Sequence, residues 1–234
     1  MRGLMYKQLM TFRAPALIII GFQLFLTAVA ISMYLDDPVH SDASMMLAVM
    51  IAPFILFSIT NSELFRYDER EKWCCFAAST PQTSKGQVQV KYYFTLAAHS
   101  VMLFVGMLCD TVFIAVVGST AVTCMMTGVL FFCISLIMNA LEYPFYFRFG
   151  SEHGAQVKGA SIWTVILLIM IYLLFGDISF LLDGNLADFF ASLFSSTSMM
   201  WAMALLPAAS LVIFYLSYLV SLKMYRKGME SYEQ

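Results

Sequence analysis

Apolar and polar residues along the chain fall into long blocks, without the alternation of a half-buried strand. A bilayer hydrocarbon core about 30 Å thick is crossed by about 20 helical residues. Six runs satisfy that length: Ala14 to Tyr34, Ser44 to Ser62, Tyr92 to Val117, Ala121 to Tyr143, Ala160 to Gly176 and Met199 to Leu222. The pattern predicts an all-α polytopic membrane protein of six transmembrane helices, one domain over residues 1–234. The first run passes through Ala28-Val29-Ala30, a stretch of signal-cleavage type, and continues to Tyr34, so an uncleaved first span is expected.

The interruptions carry the polar chemistry. Residues 1–13 set Arg2, Lys7 and Arg13 among Leu4, Met5, Met10 and Phe12, which predicts a short interfacial helix. The alternative is a basic flank that only sets topology. The longest charged interval is Glu63 to Lys91, ELFRYDEREKWCCFAASTPQTSKGQVQVK. It is longer than a helix connection needs. Asp68 to Lys72 followed by Trp73, Phe76 and Ala77 reads as a short amphipathic helix stopped by Ser79-Thr80-Pro81. Thr83 or Ser84 then caps the helix that continues into span three. Gly118, Ser119 and Thr120 make spans three and four a tight hairpin. The next loop, Tyr143 to Gly159, is expected to begin at a Pro144 break. Residues 177–198, apolar but interrupted by Asp183, Gly184, Asn185 and Asp188, are expected as re-entrant or interfacial helices.

Composition agrees with a membrane body. Apolar side chains make up 61% of the 234 residues and charged ones 12%, where soluble domains have roughly 25% charged. The distribution of the 13 Lys and Arg sets orientation. The N-terminus has Arg2, Lys7 and Arg13; the 63–91 loop has Arg66, Arg70, Lys72, Lys85 and Lys91; the loop after span four has Arg148 and Lys158; the C-terminus has Lys223, Arg226 and Lys227. The other loops have none. By the positive-inside rule both termini and the 63–91 loop are expected in the cytoplasm. No basic surface for nucleic acid is implied.

Motif chemistry is sparse. The five Cys lack metal-knuckle spacing and read as free thiols, and the three His form no HExxH pattern. No GxxxxGK[ST] occurs, so the chain is expected to carry no ATPase site of its own, no metal and no catalytic residue. On span three Thr95, His99, Gly106 and Asp110 share one face. Asp110 is the one acid placed well inside a span, which makes it a candidate for a substrate path, a lock between helices, or a site near the outer water. On span four Ser135, Asn139 and Glu142 cluster near the inner end and read as helix-to-helix hydrogen bonding. Pro53 invites a kink in span two. The 18 Met suit either packing or an adaptable cargo surface.

The six-span layout, YDEREKW followed by STPQTSKGQVQVKYY after span two, and PFYFRFGSEHG after span four resemble the permease subunits of ABC-2 type transporters. Within that group the chain is similar to the permeases of peptide exporters such as the phenol-soluble modulin systems. The resemblance implies a bacterial plasma-membrane exporter with two permeases, identical or different, and two copies of a separate cytoplasmic ATPase. ATP and Mg would bind to that partner. It further implies a coupling helix docked into the ATPase, mapped to Tyr67 through Ser79. Tyr67, Asp68, Glu69, Arg70, Glu71, Lys72 and Trp73 are the expected coupling residues, and His99, Gly106 and Asp110 a candidate path for a peptide or amphipathic cargo. A competing expectation is an immunity or assembly factor that binds a cytoplasmic partner through the 63–91 loop. An intramembrane enzyme built on His99 and Asp110 is disfavoured, because they lie three turns apart on one helix with no nucleophile placed beside them.

Overall fold

The computed structural model describes residues 2–36, 44–71, 84–117, 122–175 and 197–230. They form six helices: α1 Arg2–Asp36, α2 Ser44–Arg70, α3 Ser84–Val117, α4 Val122–Phe149, α5 Ser151–Phe175 and α6 Thr197–Glu230. Each is long and apolar enough to cross a membrane, and no strand occurs among the described residues. The chain is a multi-pass membrane protein.

The helices run well beyond the apolar stretches, and this changes three expectations. Residues 2–13 are not a separate interfacial helix: α1 continues through Pro15 without a break. Its polar end is not left to the lipid, because Phe12 packs edge-on against Phe57 and Phe94, with ring centroids 5.3 Å away in each case. Likewise Tyr67 to Arg70 are the last turn of α2 and begin no new helix. Pro144 does not end α4 either; the helix stops at Gly150, whose φ of 89° is open to glycine at little cost. The loop expected over 143–159 thus shrinks to one residue. α3 starts at Ser84, and Thr83, the other expected cap, lies outside the described residues. The expected helices over 177–198 and the hairpin turn at 118–120 lie in or overlap residues outside those described.

α4 is the hub. It packs against α2, α3, α5 and α6, whereas α1 rests on α2 and α3. Gln23 lies beside Gly106, and Tyr34 beside Phe113, so α1 and α3 run parallel. One apolar cluster joins Phe12, Phe54, Phe57, Phe94 and Met102; another joins Phe65, Tyr92, Leu136, Tyr143 and Phe214. Cys109 and Cys133 are free and buried.

Two prolines inside spans are accommodated by neighbours. A helical proline leaves the carbonyl four residues earlier without its N–H donor. Pro53 frees the Val49 carbonyl, and Gln23 Nε2 of α1 donates to it at 3.3 Å. Pro144 frees the Ala140 carbonyl, and the Ser217 hydroxyl of α6 donates to it at 2.5 Å. In hydrocarbon a bare carbonyl costs several kcal/mol, so these cross-helix donors explain why both helices continue through their prolines.

Candidate functional site at the charged end of the bundle

The polar ends of α1 to α5 converge at one end of the bundle. Asp68, in the last turn of α2, takes ion pairs from Lys7 of α1 and Lys91 of α3. All three side chains are at most one fifth exposed. Lys91 Nζ also lies 4.4 Å from the Phe65 ring, a cation–π contact. One residue on, Glu69 Oε2 accepts the Ser151 N–H at 2.9 Å. Ser151 is the first residue of α5, so a carboxylate from α2 satisfies one of the bare N–H groups there and complements the helix dipole. The fit is close: a Cβ on Gly150 would sit 2.6 Å from Glu69 Oε1.

A second set of polar groups lies deeper, between α2, α3, α4 and α5. Lys158 Nζ donates to the Ser58 carbonyl at 2.6 Å and the Ser62 hydroxyl at 2.7 Å, and pairs with Glu142 Oε2 at 3.2 Å. Glu142 is fully buried. Beside it Asn61 Nδ2 donates to Asn139 Oδ1 and to the Tyr143 hydroxyl at 3.1 and 2.9 Å, and that hydroxyl also meets Thr95. His99 completes the set, with Nε2 2.6 Å from the Ser135 hydroxyl, Nδ1 2.8 Å from the Thr95 carbonyl, and Phe57 4.5 Å away. Ser135, Asn139 and Glu142 therefore do bond between helices, as expected.

The expected coupling residues separate into two kinds. Asp68 and Glu69 are committed to holding α1, α3 and α5. Tyr67, Arg70 and Glu71 are exposed, and Lys72 and Trp73 lie outside the described residues. The three candidate path residues do not come together around an opening in the single chain. His99 is enclosed as above. Gly106 packs so closely that a Cβ would meet Met50 Sδ at 3.0 Å and Gln23 Nε2 at 3.1 Å. Asp110 is 4% exposed, with Oδ1 unpartnered among the described residues. Among those same residues no group of three or more His, Cys, Asp or Glu is placed to hold a metal.

Lys158 is the member of this polar set that spacing missed, because it was placed in a loop. Had α5 been drawn from Ser151, Lys158 would have stood two turns inside a helix and needed a counter-charge.

Residues 3–226 match the model of the family described as ABC-2 family transporter protein. The chain belongs to the ABC-2 transporter family. No curated protein and no solved structure matches it. ABC-2 permeases are the membrane subunits of transporters and generally work with a separate ATPase subunit.

Proposed function

We propose that this chain is the permease subunit of a bacterial ABC exporter in the plasma membrane, moving a peptide or other amphipathic cargo. It forms a single transmembrane domain over residues 1–234, with both termini in the cytoplasm. The lack of Lys and Arg from the loops at the other end supports that orientation. A second permease, identical or different, completes the path, and ATP and Mg are bound by the separate ATPase.

The observation that carries the reading is the tie of α2's last turn to three other helices: Asp68 to Lys7 and Lys91, and Glu69 to Ser151. Force applied by an ATPase to the end of α2 reaches α1, α3 and α5 together through these bonds. In this reading Asp68 and Glu69 transmit, whereas Tyr67, Arg70, Glu71, Lys72 and Trp73 make the contact. The buried face holding His99, Gly106 and Asp110 keeps the bundle rigid in this state and belongs to the path only if the helices part during the cycle.

The test is co-purification with a candidate cytoplasmic ABC ATPase subunit. Arg70→Ala, Glu71→Ala and Trp73→Ala combined should abolish the complex while the permease still purifies as a monodisperse species. A complex that survives the triple replacement undiminished rejects the contact. A permease whose chain shows no ATPase association even as wild type rejects the transporter reading itself.

A further inference from the structure

Away from the charged end, α1 and α3 enclose two oxygen acceptors that lack a donor. Asp110 is 4% exposed and Gln23 1%, and among the described residues neither Asp110 Oδ1 nor Gln23 Oε1 takes a hydrogen bond. The two side chains approach each other over Gly106. A helical side chain leans toward the turn before it, so the Asp110 carboxyl extends over Gly106, one turn earlier on the same face. The Gln23 amide shares with Met50 the space that Gly106 leaves open, with Nε2 3.1 Å from where a Cβ would stand.

The orientation of that amide is set from α2. Pro53 strips the Val49 carbonyl of its helical donor, and Gln23 Nε2 supplies one at 3.3 Å. Turning the amide over would set oxygen against oxygen there, so Oε1 is directed away from Val49 and needs a donor of its own. A neighbouring hydroxyl is already committed: Thr27, one turn beyond Gln23 and therefore level with Asp110, donates to the Gln23 carbonyl at 2.9 Å. No Lys or Arg occurs between Arg13 and Arg66 or between Lys91 and Arg148. Among the described residues, the titratable groups packed around this level are Tyr34 of α1, its ring against Phe113, and Cys109 of α3 itself. The α2 residues there are Val49, Met50 and Ile51, and α4 has no titratable group between Met125 and Phe132. Asp36, at the end of α1, is exposed. Asp37, His40 and Asp42 lie outside the described residues.

We infer that Asp110 and Gln23 form a proton-binding site: Asp110 is held as the neutral acid, and its O–H donates to Gln23 Oε1. One proton satisfies both acceptors. A hard cation would not fit, since it takes six or more oxygens and this level offers the carboxylate, one amide oxygen and the Thr27 hydroxyl. Keeping a proton at neutral pH costs an ordinary carboxyl about a thousandfold. A buried charge without a partner costs about as much and would leave the amide oxygen unmet besides, which decides for the proton. The bonds then run as one chain from Asp110 through Gln23 to the Val49 carbonyl, linking the proton to the course of α2 through Pro53.

The site is tested on the full chain purified in detergent, without an ATPase. The infrared difference spectrum of wild type against Asp110→Asn at neutral pH should show one carbonyl band of a protonated carboxyl, lost in the variant. Gln23→Leu should shift that band, because the acceptor of its O–H is gone. Reversible unfolding gives a second reading. The folded chain keeps a proton that the unfolded carboxyl gives up above about pH 4. From there to neutral pH the unfolding equilibrium of wild type should rise relative to Asp110→Asn by about tenfold per pH unit, and below that value the two should coincide. A carboxylate band in place of the acid band, an acid band indifferent to Gln23→Leu, or a gap between the two chains that does not change with pH overturns the site. So does stabilisation by sodium ions that wild type shows and Asp110→Asn does not, which would make the ligand a cation.

Discussion

Removing Lys158 should expose the largest single electrostatic liability in the bundle. Its side chain is 11% exposed and that of its partner Glu142 not at all. Lys158→Met keeps most of the stem's packing but leaves Glu142 with the Ser62 and Tyr146 hydroxyls and no cation, in surroundings that cannot hydrate a carboxylate. Breaking a buried pair from one side costs about 3–5 kcal/mol, whereas replacing both partners by neutral groups of similar shape is often close to neutral. Lys158→Met should therefore destabilise by about 3–5 kcal/mol. Glu142→Gln combined with Lys158→Met should recover all but about 1–2 kcal/mol, because the amide oxygen introduced by the first change can still accept from the Ser62 hydroxyl. The assay is reversible unfolding of the purified chain by titration of SDS into mixed micelles, read by circular dichroism. A double variant as unstable as Lys158→Met alone would show that the ammonium acts through packing against Ser58 and Ser62, and that the charge of Glu142 is of no account.

Other perturbations test separate bonds in the same unfolding assay. Gly150→Ala should cost more than about 1 kcal/mol, from its positive φ and from the Cβ placed 2.6 Å from Glu69 Oε1. In a Glu69→Ala background, which itself loses a cap worth about 1 kcal/mol, part of that cost should vanish; strict additivity would deny the contact. Gln23→Leu should destabilise by about 1–3 kcal/mol in the presence of Pro53 and less beside Pro53→Ala, which returns an N–H to the Val49 carbonyl; an equal effect in both backgrounds rejects the proline explanation. Asp110→Asn gives a buried side chain an N–H donor near the unpartnered Gln23 Oε1, since Gln23 packs on Gly106 one turn below. It should raise the thermal midpoint, and a lowered one would show that the carboxyl has a donor of its own.

The membrane architecture was legible because hydrocarbon imposes a length and an apolar composition on every span. Six runs were counted from the chain, and the described residues hold six helices that meet the same requirement. The ends were not legible for the opposite reason. Lys7, Asp68, Lys91 and Lys158 read as interfacial or loop residues because charges do not enter lipid, yet each is covered by a partner from a distant segment that no local pattern announces. Prolines misled in the same way. Pro144 breaks a helix that has only itself to satisfy its carbonyls, and α4 has Ser217. On span four the polar face was read correctly, since Ser135, Asn139 and Glu142 recur at helical spacing and a face of that kind must find partners. The shared face of His99, Gly106 and Asp110 was also real, but its periodicity is the same whether it meets a helix or an opening. Of the expected coupling residues, Tyr67, Arg70 and Glu71 are exposed, and no local pattern announces what would cover them.

The proline carbonyls also set an order for making the protein. The donor for Val49 is Gln23, which leaves the ribosome before its acceptor, so α2 can complete its backbone pairing as soon as it enters the bilayer. The donor for Ala140 is Ser217, on the last helix to be synthesised. Until α6 arrives, α4 stands in lipid with an open carbonyl at the position where four other helices gather on it or near it. A nascent chain stopped before Thr197 should accordingly stay open to protease and to membrane quality control, and release from that surveillance should coincide with insertion of the sixth span.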